Sequence, residues 1–285
     1  MVNPIDETVR ELITKKLQDL EDYLHADVIV YCGEIFDSAE DQMKSVVEDL
    51  QTGDNTRTTC YIILTTPGGS LNPVNRMVTI LRHFYSEVNF IVPNYAYSAG
   101  TIFCMSGDNI YMNYYSALGP VDPQVQNRDG KLVAALGYLD KINELLSKAQ
   151  DNTISQAEFL ILKDFDLAEL RAYEQAKELA VDLIQKWLVK YKFKDWVTHS
   201  NGVEVTLEEK KQRAYEIADS LSDNNIWKSH GRAINMEELR RMELKIIDYG
   251  ENKELCRRIE DYFSVMKEYI AKYNLMVFVH TRRFL

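Results

Sequence analysis

The sequence predicts an α/β fold, in which repeated βαβ units build a mainly parallel β-sheet and the second half adds a helical layer. In the first half, short β-branched, apolar runs alternate with segments of helical period. After Gln124, helical patterns dominate. Each βαβ crossover joins two parallel strands and is expected to be right-handed. The carboxyl ends of the strands should therefore meet at one edge of the sheet.

The elements of the first half follow one another in a regular order. Residues 6–24 carry the apolar stripe of an amphipathic helix, and residues 26–32 form a short apolar strand. Ser38 and the acidic residues after it resemble a capping box, which opens a helix that extends to about Leu50. The alternation continues with a strand at 59–65, a helix at 73–85, a strand at 88–93, a helix at 98–106 and a strand at 109–112.

The second half is predicted to be mostly helical. Asp166, Thr206 and Asn235 each stand where an N-cap precedes an acidic residue and an apolar stripe. A last helix covers residues 253–273, and a β-like tail follows at 275–280. We therefore expect two parts. Residues 1–125 form the α/β core with the N-terminal helix, and residues 126–285 form a helical layer or oligomerisation arm that completes the core.

Composition and charge narrow the classes of function. The 44 acidic residues outnumber the 33 basic ones, which gives a net charge of −11, so nucleic acid and anionic membranes are not expected as partners. No apolar run approaches the ~18 residues of a membrane helix and the N-terminus lacks an apolar signal segment, so we expect a cytoplasmic protein. The four cysteines are far apart, which favours buried free thiols over a disulfide or a metal site.

Two strand-to-helix turns are the candidate functional elements. The strand at 59–65 ends at Pro-Gly-Gly-Ser (residues 67–70), and the strand at 88–93 leads into Ser98 at a helix start. Both turns fall at the carboxyl edge of the predicted sheet, where ligands of such folds bind. The pair offers a hydroxyl nucleophile and flexible N–H donors for an oxyanion, which acyl transfer needs. Capping of the helix is also the commonest reason for a serine at a helix start.

These turns, with the Leu-Gly-Pro-Val-Asp-Pro sequence at 118–123, resemble the Clp-fold superfamily of Clp protease subunits, signal peptide peptidases and crotonase-type acyl-CoA enzymes. The chain is most similar to the serine dehydrogenase proteinase family, over about residues 65–124 and more weakly at 226–235. The resemblance implies a Clp/crotonase-like fold and a serine-type peptidase without a cofactor, acting on peptides or unfolded proteins. It also implies a homo-oligomer, a trimer or a hexamer. The chain has no Walker motif, so the expected peptidase is ATP-independent.

The resemblance also implies roles for residues at the two turns. Ser98 is expected to be the nucleophile that forms an acyl-enzyme. The backbone N–H groups of Gly68, Gly69 and Ala99 are expected to form the oxyanion hole.

The general base is not in its usual place, because Clp proteases carry a histidine where this chain has Val121. One replacement is His230, in a Trp-x-x-His sequence similar to that of the serine dehydrogenase proteinases. A neutral imidazole suits general-base catalysis. The other replacement is Lys163, since signal peptide peptidases use a Ser/Lys dyad and the apolar run before this lysine would desolvate its ammonium. The sequence leaves His230, Lys163 and neither of them as open alternatives.

Two other functions stay open at this point. A catalytically degenerate Clp-fold scaffold that binds peptides or partner subunits agrees with the missing histidine. A crotonase-like acyl-CoA enzyme needs catalytic glutamates near the second turn. The sequence has no glutamate between Glu87 and Glu144, which counts against that class.

Overall fold

The structure, a computed structural model, describes residues 4–53, 56–122, 124–126 and 132–285. Within these ranges the helices are α1 (Pro4–Leu24), α2 (Ala39–Leu50), α3 (Leu71–Phe84), α4 (Ala99–Met105), α5 (Ala135–Gln150), α6 (Gln156–Lys163), α7 (Leu167–Trp187), α8 (Leu207–Leu221), α9 (Asn224–Trp227), α10 (Met236–Arg241) and α11 (Lys253–Tyr273). The strands are β1 (Asp27–Gly33), β2 (Thr59–Thr65), β3 (Glu87–Ile91), β4 (Tyr95–Ala96), β5 (Asn109–Met112), β6 (Ala117–Leu118), β7 (Gln124–Gln126), β8 (Leu132–Ala134), β9 (Ile234–Asn235), β10 (Ile247–Asp248) and β11 (Val277–His280). A π-helical turn, Leu188–Lys192, continues α7, and a 3-10 turn, Tyr249–Glu251, precedes α11.

The central sheet of the described residues has six strands in the order β10-β5-β3-β2-β1-β11. Parallel pairing joins β10, β5, β3, β2 and β1, and β11 pairs antiparallel with β1. The register places Val30 opposite Ile63, and Ile63 opposite Ile91. The predicted α/β class with a mainly parallel sheet is confirmed, and the predicted β-like tail forms the antiparallel edge strand.

The two faces of the sheet have different helices, because successive residues of a strand point to opposite faces. Ile29, Ile62 and Phe90 belong to a core cluster that includes side chains of α2, α3, α4, α7 and α8. Val30 and Ile63 belong to a second cluster with side chains of α1 and α11. Both faces are thus covered, as a parallel sheet requires.

Both halves of the chain contribute strands to this sheet. Strands β10 and β11 come from the part after residue 126, whereas β1, β2, β3 and β5 come from the part before it. Helices α5 and α7 also form a small apolar cluster of their own, made by Ala135, Leu136, Leu139 and Tyr173. The division into two parts at residue 125 stays a prediction. None of the helices in the described ranges is both long and apolar enough to cross a membrane.

Most of the predicted helix caps are present. Asp166, Thr206 and Asn235 accept backbone hydrogen bonds at the starts of α7, α8 and α10. The capping box predicted at Ser38 is wrong, although α2 begins directly after it. Ser38 has a left-handed backbone with φ 82°, and its side chain makes no capping hydrogen bond.

A buried ion cluster holds the last residues against β1. Arg282 Nη1 lies 2.6 Å from Asp27 Oδ1 and 3.0 Å from Glu21 Oε1, and both carboxylates are buried. Desolvation raises the pKa of Glu21, while the N–H of Val28 and the guanidinium of Arg282 oppose that rise. A carboxylate buried in this way depends on its partner, so Arg282 ties the edge strand to the centre of the sheet.

Candidate active site

The first turn follows β2 and lies against Ile35. Gly68 and Gly69 have φ angles of +110° and +139°, which glycine adopts without strain. The turn is fixed by two backbone hydrogen bonds of 2.8 Å each, from Ile35 N to Gly68 O and from Ser70 N to Ile35 O. A Cβ on Gly69 would lie 2.0 Å from Ile35 O. Glycine is therefore required here because two backbones approach each other closely.

The second turn follows β4 and lies beside the first. Thr66 N donates to Tyr95 O at 3.0 Å, and Tyr97 N donates to Thr66 O at 3.0 Å, so a short parallel bridge joins the two segments. A Cβ on Gly68 would lie 2.8 Å from Ser98 Cβ. The structure thus brings together the glycine turn and Ser98.

Ser98 has an unusual backbone for a residue with a side chain, with φ 52° and ψ −116°. It stands at the start of α4, but its side chain makes no capping hydrogen bond, so the structure does not support the simple helix-cap interpretation. A non-glycine residue with positive φ is strained and persists only where the surroundings hold it. Strand-to-helix turns of this kind carry the nucleophile of serine hydrolases.

The backbone donors at the site are not all available. Gly68 N donates to Thr66 Oγ1 at 3.0 Å within its own turn. The N–H groups of Gly69 and Ala99 have no acceptor among the described residues. Of the three groups expected to form an oxyanion hole, the structure therefore leaves Gly69 and Ala99 free. No motif in the sequence indicates that Thr66 Oγ1 accepts the hydrogen bond of Gly68 N.

The Leu-Gly-Pro segment of the family motif is packed against the Ser98 turn. The hydroxyl of Thr101, in α4, lies 3.0 Å from Gly119 N and 2.8 Å from Ala96 O. A Cβ on Gly119 would lie 2.8 Å from the ring of Tyr97, so only glycine lets the segment approach. This packing explains why the motif and the turn belong to one site. Pro123, the last residue of the motif, lies outside the described residues.

A cavity of about 180 Å³ opens beside Ser98, whose side chain is otherwise buried. Its lining consists of residues from the two turns, from the helices that follow them and from α7, namely Gly69, Ser70, Leu71, Asn72, Ser98, Ile102, Ala176 and Leu179. Helix α7 therefore forms one wall of the cavity. None of these lining residues, all within the described part of the chain, has a titratable side chain at neutral pH.

His230 lies in the loop between α9 and β9, next to Asp122 of the family motif. His230 Nδ1 is 3.9 Å from Asp122 Oδ2 and has no hydrogen-bond partner among the described residues. Asp122 is buried, and its Oδ1 accepts a 3.0 Å hydrogen bond from Leu136 N. Desolvation raises the pKa of Asp122, while Leu136 N–H and His230 oppose that rise. Sequence reasoning placed Asp122 in the motif but missed its contact with His230.

Lys163 is the last residue of α6 and is exposed. The apolar residues before it, Phe159, Leu160 and Ile161, are 52–59% exposed, so they do not desolvate its ammonium. This part of the sequence argument for Lys163 is wrong, because α6 has no buried residue. Neither Lys163 nor His230 lines the cavity, and Ser98 Oγ has no hydrogen bond to a side chain of the described residues.

A mainly parallel sheet with a glycine turn beside a strained serine at its carboxyl edge places the chain in the class of Clp-fold proteins. The sequence model of the ClpP-like SDH-type serine proteinases matches residues 36–272. The chain belongs to this family, which confirms the resemblance to the serine dehydrogenase proteinases.

Relatives of the chain include the uncharacterized protein MJ0137 of Methanocaldococcus jannaschii, 31% identical over 140 residues that are 46% of this chain and 47% of that protein. The chain thus spans about half the length of this curated relative. A mutant of the 1510-N membrane-bound stomatin-specific protease is similar over 81% of this chain and 85% of its own, with a TM-score of 0.43 and 14% identity. The ClpP protease catalytic domain of Plasmodium falciparum is similar over 80% and 86%, with a TM-score of 0.41 and 13% identity.

We expect Gly69→Ala to destabilise the protein, because the new Cβ would lie 2.0 Å from Ile35 O at a φ of +139°. The free energy of unfolding, measured by denaturant titration, should fall by more than ~1 kcal/mol. The control is Gly137→Ala in α5, where a Cβ meets no described atom within 4 Å. Alanine favours a helix, so the control should keep or slightly raise stability. Equal stabilities of the two variants would contradict the close approach of the first turn to Ile35.

Proposed function

We propose that this chain cleaves peptide bonds as a serine peptidase with Ser98 as the nucleophile. The observation that carries the proposal is the position of Ser98, an uncapped residue at φ 52° directly beside the Gly68 turn. A strained turn of this kind holds the hydroxyl oxygen where a substrate can reach it. Membership of the ClpP-like SDH-type serine proteinases supports the class of reaction.

In the proposed reaction, Ser98 Oγ attacks the carbonyl carbon of the scissile peptide and its proton passes to a general base. The carbonyl oxygen becomes an oxyanion, which the N–H groups of Gly69 and Ala99 stabilise. Each donor of this kind is typically worth ~3–4 kcal/mol in the transition state. The base then gives the proton to the leaving amine, and water hydrolyses the acyl-enzyme.

We assign the base to His230, with Asp122 as the carboxylate that orients it. Their 3.9 Å contact and the burial of Asp122 support the assignment. A carboxylate beside a histidine holds the imidazole in one tautomer and stabilises the imidazolium that forms. Catalytic hydrogen bonds commonly tighten only in the substrate complex. We therefore propose that His230 approaches Ser98 when a peptide binds. Lys163 is the weaker candidate because its side chain is exposed.

The substrates we propose are peptides or unfolded protein segments, and their cleavage does not require ATP. The Ser98 cavity, at about 180 Å³, has room for side chains of an extended segment rather than for a folded domain.

We also propose that the protein is a cytoplasmic homo-oligomer of three or six chains. The exposed apolar side chains of α6, together with Leu167 at the start of α7, which is 79% exposed, support an oligomer because such residues are usually covered.

The alternative is a scaffold that binds peptides without cleaving them. The observation that favours it is the lining of the Ser98 cavity, which offers no general base among the described residues. The Ser98 experiment separates the two functions.

We expect Ser98→Ala to abolish both labelling by a fluorophosphonate and peptide hydrolysis, because the acyl-accepting oxygen is removed. Alanine keeps the Cβ, so the melting temperature should stay close to that of the wild type. Ser70→Ala is the matched control, since Ser70 contributes a second hydroxyl to the same cavity. Labelling that persists in Ser98→Ala would remove Ser98 from the mechanism. An unlabelled and inactive wild type would favour the scaffold.

We expect His230→Ala to lower kcat by ~10²–10⁴-fold, the usual range for a lost general base. Asp122→Asn should also lower kcat strongly, because the amide oxygen can still accept from Leu136 N but the amide cannot stabilise an imidazolium. His199→Ala is the control, since His199 pairs with Glu209 in the α8 region. Steady-state kinetics of these variants and of Lys163→Ala decide the base. A large loss in Lys163→Ala with none in His230→Ala would reassign it to Lys163.

Light scattering at micromolar concentration should give a mass three or six times that of the 33.1 kDa chain. Leu160→Asp, on the exposed face of α6, should shift the mass towards that of one chain, because a charge cannot be buried there without a partner. Leu275→Asp, at an exposed apolar residue outside α6, is the control and should leave the mass unchanged. A wild-type mass of 33.1 kDa would contradict the oligomer.

A further inference from the structure

A second cavity, of about 580 Å³, lies at the opposite edge of the sheet from Ser98. Glu87 opens β3 and Asn109 opens β5, so the cavity is at the amino ends of the parallel strands. Its other wall is the segment that leaves α7, from Tyr191 to Trp196, with side chains from α8 and from the chain before β10. The Ser98 cavity shares none of its lining residues. The two are therefore separate places on the protein.

Lys192 lines this second cavity and ends the π-helical turn that continues α7. Its Nζ is buried and has no hydrogen-bond partner among the described residues. Turns of the π type inside helices are frequent at functional sites. A buried amine without a partner costs free energy, which a ligand that supplies the partner would recover.

Two of the four carboxylates that line the cavity, Asp108 and Glu243, are already engaged by other cations. Asp108 is 2.7 Å from Arg82 Nη1 and 2.5 Å from Lys194 Nζ. Glu243 is 2.6 Å from Arg213 Nη2. Lys192 and Lys245, in contrast, have no carboxylate of the described residues within ion-pair distance. Two lysine side chains without an ion-pair partner among the described residues thus line a cavity wide enough for a small molecule.

The walls beside Lys192 are aromatic. Tyr191, Phe193 and Trp196 line the cavity, and the rings of Phe193 and Trp196 are 5.6 Å apart at 70°. Aromatic walls bind flat apolar groups, and an ammonium binds a carboxylate by a charge-assisted hydrogen bond. We propose that this cavity is a second ligand site, which binds a small aromatic carboxylate with its anionic group on Lys192 and Lys245.

The site should bind its ligand together with a proton. The pKa of Lys192 is lowered to about 7, mainly by burial and to a smaller extent by Lys245, while Cys104 and Asp108 act in the opposite direction. The other charged groups of the cavity are Glu87, Lys194, Asp195, Arg213 and Glu243. Above a pH of about 7 the free amine is mostly neutral, so the bound carboxylate must draw in a proton. Affinity should therefore fall about tenfold per pH unit above that point.

The experiment is a calorimetric titration of the whole chain with 2-naphthoate at pH 6.5 and pH 8, in buffers of different ionisation enthalpy. We expect one saturable site, weaker at pH 8, with an uptake of about 0.9 proton per naphthoate at pH 8 and much less at pH 6.5. Lys192→Met should weaken binding by ~10–100-fold and remove the proton uptake. Lys190→Met is the matched control, because Lys190 is exposed on the same turn and does not line the cavity. It should bind as the wild type does.

Stability provides a measurement that does not depend on the ligand. Because the pKa of Lys192 is lower in the folded protein than in the unfolded chain, wild-type stability should rise relative to Lys192→Met between about pH 7 and pH 10. Lys192→Met should also fold at least as well as the wild type, since the desolvated amine is gone. Naphthoate binding that is absent from the wild type at pH 6.5, or equally tight in Lys192→Met, would overturn the proposal. Peptidase activity is not needed for either readout.

Discussion

The close approach of three backbone segments at the carboxyl edge of the sheet is the constraint on which the candidate site depends. Gly69 lies against Ile35 on one side, and Gly68 lies against Ser98 on the other. Neither contact tolerates a Cβ without a shift of backbone. The glycines therefore act less as flexible residues than as spacers of minimal size. They place a hydroxyl oxygen and free N–H groups within one small volume, which is what stabilisation of an oxyanion requires.

Helix α7 links the two ends of the sheet. Ala176 and Leu179 form a wall of the Ser98 cavity, and the π-helical turn at the end of the same helix carries Lys192. Between these points, Ala180, Leu183 and Ile184 pack in the main core. A packed helix is one kind of element through which energetic coupling between two sites can travel. A change at Lys192 and a change in the width of the Ser98 cavity would therefore share one structural element.

The sequence predicted the order of the βαβ units well, because apolar period and turn residues are local signals. The strand at 59–65 and the strand at 109–112 agree with β2 and β5 to the residue. Ser98 and the glycine turn could be singled out as candidates for the same reason, since their residue types lie in short motifs. The contact between Asp122 and His230 and the exposure of Lys163 depend on tertiary packing. No spacing along the chain reports which face of α6 is covered, so the predicted burial of Lys163 failed.

The backbone of Ser98 restricts which residues evolution can place there. A positive φ is a severe outlier for a β-branched side chain, so a threonine hydroxyl cannot take over from the serine in the same turn. Cysteine has the same branching as serine and meets no such barrier. Among nucleophiles of this size, the turn thus admits an exchange of oxygen for sulfur but not the addition of a methyl group. A family that keeps this turn has a thiol variant open to it and a threonine variant closed.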